Sequence, residues 1–316
     1  MEIVSIRNQT ITEFVLLGFS DVAELHLLFF IVFTLIYTSI IIGNMLIIVA
    51  VVSSPRLHTP MYFFLVNLSF LEILYTSTVV PKMLEGFLQE AAISVAGCLL
   101  QFFIFGSLAT AECVLLAVMA YDRYLAICHP LHYPLLMRPR WCLGLVVIAW
   151  LSGFMLDGLA VALIAQLRFC GPNHIDHFYC DFTPLMGLAC SDPSIAQMLT
   201  TFILSVVCLT VPFGLILTSY ARIVVAVLRV PAGASRRKAF STCSSHLAVV
   251  STFYGTLIVL YIAPSAVHSQ LLSKVFALLY TVVTPLFNPV IYTLRNKEVH
   301  QALWRLLYIK QMETLD

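Results

Sequence analysis

Seven apolar stretches constrain this chain more than any other feature of its sequence. A helix rises 1.5 Å per residue, so about 20 apolar residues are needed to cross roughly 30 Å of hydrocarbon. Lipid offers no hydrogen bonds to the backbone, and each stretch is therefore predicted to be helical. The predicted spans are Leu27–Val52, Pro60–Val80, Leu99–Cys128, Trp141–Ala165, Ile195–Ala221, Leu247–Val267 and Val275–Leu294.

The composition of the chain excludes an ordinary water-soluble domain. Hydrophobic residues make up 60% of the 316 positions and charged residues only 10%, whereas soluble domains average about 25% charged. No repeat or linker divides residues 1–316, which are predicted to form one domain. The predicted fold class is an all-α membrane protein, a seven-transmembrane helix bundle with lipid as the solvent for much of its surface.

The basic residues set the predicted orientation. If the N-terminus is outside, most of the 17 lysines and arginines lie on the cytoplasmic side, as the positive-inside rule requires. Residues 1–24 are then an extracellular segment and residues 295–316 a cytoplasmic tail. The basic residues left outside are Arg7, Lys82, Arg168 and Lys274.

Each terminal segment carries one further signal. The sequon Asn8-Gln9-Thr10 lies outside in this orientation, where Asn8 is a predicted glycosylation site. After the seventh span, Asn296–Ile309 places apolar residues at helical spacing beside cations. This pattern predicts a short amphipathic helix lying on the inner leaflet.

The cysteines divide by location. Four of them, Cys98, Cys170, Cys180 and Cys190, lie on the predicted outer side, where oxidising conditions allow two disulfides. Four cysteines permit three pairings, and the residues alone do not choose between them. The others are predicted to be small packing residues or free thiols: Cys113, Cys128, Cys142, Cys208 and Cys243.

The most informative motif is the run Met119–Tyr133 at the inner end of the third span, which contains Asp122-Arg123. Charged residues at a membrane helix are costly unless they are paired or functional. The seventh span ends in Pro285–Tyr292, where proline frees a backbone carbonyl and makes the helix deformable. The first two spans carry further polar residues, namely Asn44 after Gly43, and Asn67-Leu68-Ser69 followed by Glu72.

Together these motifs resemble the rhodopsin-like G-protein-coupled receptors. Three further strings narrow the resemblance to odorant receptors of the tetrapod-type class: Leu57–Leu65 (LHTPMYFFL), Pro81–Leu84 (PKML) and Lys238–Leu247 (KAFSTCSSHL). The resemblance covers about residues 10–300. It implies a plasma-membrane receptor of olfactory cilia that binds a volatile small molecule and activates a stimulatory olfactory G protein to raise cAMP. No catalytic activity and no nucleic-acid partner are expected.

The resemblance also implies roles for particular residues. Arg123 would hold the resting state through Asp122 and contact the G protein in the active state, while Tyr220 and Tyr292 match tyrosines that rearrange around that arginine. The disulfides implied are Cys98–Cys180 and Cys170–Cys190. The full switch set is Asp122, Arg123, Tyr124, Tyr220, Asn288, Pro289 and Tyr292.

The sixth span departs from the pattern of many rhodopsin-like receptors. Its inner end reads Arg236-Arg237-Lys238, so an acid that would pair with Arg123 there is missing. Phe253-Tyr254-Gly255 stands where other receptors have Trp-x-Pro, as in odorant receptors. A proline hinge is therefore not expected, and the switching details of other receptors do not transfer.

Several acids are predicted to lie within the membrane. Family alignment puts Glu72 and Glu112 near a sodium pocket, and two carboxylates in low dielectric require either a shared sodium ion or protonation. Asp157, in the outer half of the fourth span, either pairs with a polar neighbour or anchors ligand. The string His177–Asp181 resembles a metal-site pattern proposed for odorant receptors, which a disulfide at Cys180 would disfavour.

The ligand pocket is predicted between spans three, five and six, beneath the second outer loop. Counting helix turns outward from Arg123 gives its members on the third span, corresponding levels give those on the fifth and sixth spans, and Asp157 is added as a group that could bind a polar headgroup. Its lining is mostly apolar and lacks basic residues, so neutral terpenoids, alcohols or ketones are expected rather than carboxylates. The predicted lining is Phe105, Gly106, Ala109, Thr110, Asp157, Leu204, Ser205, Cys208, Tyr254, Leu257, Ile258 and Tyr261.

Competing functions fit the sequence less well. A transporter would usually contain internal repeats and broken helix pairs, and neither is apparent. A retinal protein needs a lysine midway along the seventh span, whereas Lys274 precedes it; an aminergic receptor would have an acid at Phe105. A receptor for a non-volatile ligand is the remaining alternative. No cofactor is expected apart from the sodium ion.

Overall fold

A computed structural model describes residues 11–170, 172–229, 233–262, 269–294 and 298–305. Seven helices are long and apolar enough to cross a membrane, which confirms the predicted fold. The predicted glycosylation site Asn8 lies outside the described residues. The helices are α1 (His26–Ser53), α2 (Pro60–Leu88), α3 (Val95–Cys128), α4 (Pro139–Ile164), α5 (Ser194–Arg229), α6 (Ala234–Leu257, then Ile258–Ile262) and α7 (Gln270–Leu278, Leu279–Val283 and Thr284–Leu294).

Most of these helices extend beyond the predicted spans. α2 continues through Pro81 to Leu88, and α5 continues to Arg229. The apolar pattern marks the part of a helix that lies in hydrocarbon, whereas backbone hydrogen bonds carry the helix on into the polar interface. Helix length is therefore set by capping and loops as well as by the bilayer.

Three helices contain π-helical segments. They occupy Ile203–Thr210 in α5, Ile258–Ile262 in α6 and Leu279–Val283 in α7. A π turn holds more residues than an α turn, so it shifts the faces of the residues that follow it. All three segments lie in the half of their helix nearer the extracellular side, where the ligand pocket is predicted.

A small sheet at the end of the bundle that is predicted to be extracellular adds strands to the predicted all-helical fold. β1 (Glu13–Leu16) pairs antiparallel with β2 (Ala91–Ser94) and parallel with β3 (His174–Ile175), in the order β2-β1-β3. Phe14 is fully buried beneath it. The segment before α1 is thus joined to two outer loops that are distant in sequence.

Short elements complete the described chain. Single helical turns occur at Ser20–Leu25, Pro55–Leu57, Tyr133–Leu136 and Phe182–Gly187. Residues 298–305, within the predicted amphipathic helix, are helical. In that helix Val299 and Ala302 are buried, whereas Trp304 is exposed. The apolar face thus packs on the bundle and the indole is left toward the membrane interface.

The bundle is organised around α3, the most deeply buried of the seven helices. Gly153 on α4 allows α3 and α4 to lie very close together. A Cβ at this position would overlap the backbone carbonyl of Ser107 on α3. Gly43 on α1 plays a similar part against α7, since a Cβ there would lie 2.9 Å from the Pro289 ring. Close backbone contact is typical of membrane helices, whose association depends on packing.

Candidate ligand-binding and signalling sites

A cavity of about 70 Å³ lies in the outer half of the bundle. Most of the predicted pocket residues line it. They are Phe105, Gly106, Ala109, Thr110, Asp157, Leu204, Cys208 and Leu257. None of the residues that line the cavity is basic, and most are apolar.

Some predicted lining residues lie elsewhere. The Tyr254 hydroxyl donates a hydrogen bond to the Cys113 carbonyl at 2.9 Å, and its ring stacks on Phe213 at 5.0 Å. Ser205 and Ile258 do not line the cavity, although the predicted residues next to them in sequence, Leu204 and Leu257, do. The side chain of Tyr261 lies outside the described residues, so its place in the pocket stays a prediction.

Helical counting also missed several lining residues. Asp181 and Phe182 reach the cavity from the second outer loop, and Tyr280 reaches it from α7. No repeating pattern in the sequence marks a loop residue as lining. Further lining is contributed by Phe102, Cys113 and Leu209.

The polar part of the cavity is centred on Asp157. Thr110 Oγ1 donates a hydrogen bond to Asp157 Oδ2 at 2.7 Å. Asp157 is fully buried, and its other oxygen, Oδ1, has no hydrogen-bond partner among the described residues. The side chain therefore both pairs with a polar neighbour and lines the cavity.

Two disulfides hold the second outer loop. Cys98 on α3 is joined to Cys180, with 5.5 Å between their Cα atoms, and Cys170 is joined to Cys190, with 5.9 Å. Both separations lie within the range of ordinary disulfides. These are the two pairs that the family resemblance implies. The loop is thus anchored to the helix that forms one wall of the cavity.

Polar contacts also tie this loop to α7. The buried Lys274 ammonium lies 2.5 Å from Asp176 Oδ1, and its Nζ lies 6.0 Å from the centre of the Phe19 ring. The Tyr179 and Tyr280 hydroxyls hydrogen-bond to each other. The Lys274–Asp176 ion pair and the Tyr179–Tyr280 hydrogen bond therefore hold the loop against α7, and Tyr280 also lines the cavity.

His177 lies inside this closed loop. Burial, and the positive charge of Lys274, lower the pKa of His177 to about 3, so the imidazole is neutral at physiological pH. Cys180 is bonded to Cys98 and supplies no thiolate to the metal pattern His177–Asp181. The described part of the chain contains no group of three or more His, Cys, Asp or Glu side chains placed to hold a metal ion.

At the end of α3 that is predicted to be cytoplasmic, Asp122 has a hydrogen-bond partner that the sequence did not suggest. Asp122 Oδ1 accepts a hydrogen bond from the Tyr133 hydroxyl at 2.8 Å, and no ion pair joins it to Arg123 among the described residues. Burial, and the negative charge of Asp122, raise the pKa of Tyr133 above its ordinary value, so the phenol stays a donor. Asp122 thus holds the inner loop through Tyr133.

The charge of Arg123 acts on groups from more than one element. It lies within electrostatic range of Asp122 and Tyr133, and also of Cys243 and His246 on α6. On the same helix face, the Tyr220 hydroxyl and His246 Nδ1 form a hydrogen bond of 2.7 Å that links α5 to α6. Sequence reasoning selected Tyr220 but missed His246, although His246 lies in the matched string Lys238–Leu247.

The remaining switch residues are placed as follows. The Tyr124 hydroxyl and His129 Nε2 lie 2.9 Å apart in an exposed hydrogen bond. Asn288 and Pro289 are buried in the inner half of α7, whereas the side chain of Tyr292 lies outside the described residues. The structure therefore describes hydrogen bonds of Tyr124 and Tyr220, whereas the role of Tyr292 stays a prediction.

Four buried side chains meet at mid-membrane. The Asn288 amide donates a hydrogen bond to Glu72 Oε1, and Asn44 also hydrogen-bonds to Glu72. Glu112 is close enough to Glu72 to act on it electrostatically. Oxygens without a hydrogen-bond partner among the described residues are Asn44 Oδ1, Glu72 Oε2, Asn288 Oδ1 and both carboxylate oxygens of Glu112.

Comparison with known proteins identifies the family. A sequence model of the family described as olfactory receptor matches residues 33–310. The chain is 82% identical to human Olfactory receptor 11A1 over 316 residues, 100% of both chains. It is 51% identical to human Olfactory receptor 11H4 over 299 residues, covering 94% of this chain and 92% of that one. It is 48% identical to rat Olfactory receptor 226 over 312 residues, covering 96% and 95%. The seven-helix chain therefore belongs to the olfactory receptor family of rhodopsin-like G-protein-coupled receptors, which are not enzymes.

Proposed function

We propose that this receptor binds a compact, uncharged volatile molecule in the cavity between α3, α4, α5, α6 and α7. Binding raises cAMP through a stimulatory olfactory G protein in the membrane of sensory cilia. The observation that carries the ligand proposal is an apolar cavity without basic lining, closed by the doubly bridged outer loop. An anionic odorant would meet no countercharge there.

The size of the cavity supports a compact ligand. Its volume of about 70 Å³ is well below the roughly 300–1,000 Å³ of pockets for drug-sized molecules. Aromatic and aliphatic side chains provide most of the lining, so affinity would come from burial of apolar ligand surface. The few polar groups would orient the ligand.

The location of the pocket is tested by filling it. Leu257→Trp is expected to raise the odorant concentration for half-maximal cAMP response by about tenfold or more, because overpacking costs about 1–3 kcal/mol. The measurement is a dose–response curve across a panel of neutral odorants in cells that display equal amounts of receptor. Leu247→Trp, at a lipid-exposed leucine on the same helix, is the matched control.

A second variant guards against misfolding of the tryptophan mutant. Leu257→Ala enlarges the same cavity and is expected to shift the preference toward larger homologues of each odorant. Dose–response curves that stay unchanged in both Leu257 variants would place the ligand elsewhere. A parent receptor that is displayed normally but answers no odorant would contradict the proposed function.

The mid-membrane oxygens are proposed to hold a sodium ion in the resting state. Glu72 and Glu112 would supply negative charge, and Asn44 and Asn288 would supply amide oxygens. Hard cations prefer oxygen ligands, and the five oxygens without a partner fit that preference. The bound ion would supply the positive charge that two buried carboxylates need.

The sodium proposal has a direct test. Raising sodium at constant ionic strength is expected to weaken odorant activation of the parent receptor by about fivefold or more, since linkage between two ligands is reciprocal. Glu112→Gln is expected to abolish this effect, and replacement of sodium by a bulky organic cation serves as the control. If the parent shows no sodium effect, a protonated pair replaces the ion; if Glu112→Gln keeps the full effect, the site lies elsewhere.

A further inference from the structure

We infer that the odorant carries an O–H or N–H group and donates its hydrogen bond to Asp157 Oδ1. This inference rests on the proposed function and specifies the chemical class of the ligand. Its observation is a fully buried carboxylate at the cavity with one oxygen satisfied by Thr110 and the other without a partner. A buried acceptor without a donor costs free energy. A hydrogen bond from the ligand to this oxygen would therefore increase the affinity more than one made elsewhere in the cavity.

Two glycines bring Asp157 to this position. Gly153, one helical turn inward on α4, allows the α4 backbone to lie against the Ser107 carbonyl of α3. Gly106 then leaves room for the carboxylate itself, since a Cβ at that position would overlap Asp157 Oδ1. The two glycines therefore allow Asp157 to lie at the wall of the cavity. No cation among the described residues forms an ion pair with it.

The other polar groups at the cavity leave Asp157 as its main recognition group. The Thr110 hydroxyl already donates its single hydrogen to Asp157. The Tyr280 hydroxyl is bonded to Tyr179, and Asp181 Oδ1 accepts the Phe182 backbone N–H at 2.8 Å. The described lining thus offers a strong acceptor but a shortage of uncommitted donors. It should prefer alcohols or amines to ketones and ethers of the same shape.

The experiment compares probes that differ only in the polar group. Cyclohexanol, cyclohexylamine, cyclohexanone and methoxycyclohexane, with the corresponding cyclooctyl compounds, are measured by cAMP response at matched surface display. We expect the alcohol or the amine to act at concentrations about tenfold lower than the ketone and the ether. The amine is an ammonium ion at neutral pH, so activation by the amine without activation by the alcohol would contradict the uncharged ligand proposed above, whereas activation by the alcohol supports a neutral donor.

Asp157→Asn then tests the assigned residue. The amide both donates and accepts, so the preference for donor over ketone is expected to fall by about tenfold while the pocket keeps its shape. Gly106→Ala, which crowds the carboxylate, is expected to reduce the same preference. Asp192→Asn is the matched control, because Asp192 is exposed, lies outside the cavity and caps the start of α5 in a way that asparagine also does.

The outcomes separate this inference from the function on which it rests. Equal or better responses to ketones and ethers would overturn the inference, as would a donor preference that Asp157→Asn leaves unchanged. A receptor that answers other neutral odorants but none of the alcohols or amines would overturn it too and leave the proposed function standing. If the receptor is present at the cell surface in normal amounts but gives no cAMP response to any odorant, the proposed function is wrong.

Discussion

Arg123→Ala is expected to reduce odorant-driven cAMP to the level of cells without receptor, while the protein still reaches the cell surface. No ion pair joins Arg123 to Asp122 among the described residues, so its removal breaks no such contact. A charged side chain at the inner end of a membrane helix is costly to keep unless it serves a function. We expect that function to be contact with the G protein when α6 moves away from α3.

The measurement is a cAMP reporter read beside antibody labelling of an extracellular tag. Arg56→Ala is the matched control, since Arg56 is an exposed arginine in the turn between α1 and α2. Near-normal cAMP from a well-displayed Arg123→Ala receptor would remove Arg123 from the coupling mechanism. Loss of output in the Arg56 variant as well would point to a general effect of charge on the inner surface.

Gly153→Ala is expected to cause the largest loss of stability among single-methyl additions to α4. A Cβ there overlaps the Ser107 carbonyl, and a backbone atom cannot rotate away as a flexible side chain can. The helices must separate, which costs about 1–3 kcal/mol or more and also moves Asp157 away from Thr110. Receptor solubilised in detergent should therefore lose its folded fraction at a lower temperature.

Gly144→Ala provides the comparison on the same helix. A Cβ at Gly144 meets no atom within 4 Å. Gly144→Ala therefore raises the helix propensity as much as Gly153→Ala does, but without the steric conflict. We expect the Gly144 variant to match or exceed the parent in thermal stability and surface display. Equal stability of both variants would mean that α3 and α4 lie farther apart than described.

The positions of the helices could be predicted from residues alone because the bilayer acts on each segment separately. Any segment in hydrocarbon must be apolar and must satisfy its own backbone. This local rule located every span, although not the ends of α2, α5 and α6, which lie in the polar interface. Counting along α3 placed four lining residues correctly, namely Phe105, Gly106, Ala109 and Thr110, but it missed Phe102 and Cys113 on the same helix.

Counting failed where a side chain has a partner that is distant in sequence. Tyr254 donates its hydrogen bond to the Cys113 carbonyl of α3 and does not line the cavity. Residues from the outer loop reached the cavity only because two disulfides and the Lys274–Asp176 pair fold that loop inward. None of these contacts produces a repeating pattern in the sequence from which it could be predicted.

The sequence by itself determined the seven spans, their predicted orientation and the motifs that carry the family resemblance, because each depends on residues close together in the chain. Only the tertiary structure decided that Asp122 pairs with Tyr133 and that one oxygen of Asp157, which lines the cavity, has no hydrogen-bond partner among the described residues. Whether two residues distant in sequence form a hydrogen bond depends on differences of a few tenths of an ångström in the distance between donor and acceptor. Those distances are set by how helices pack, and Gly153 shows that one missing methyl group can decide them.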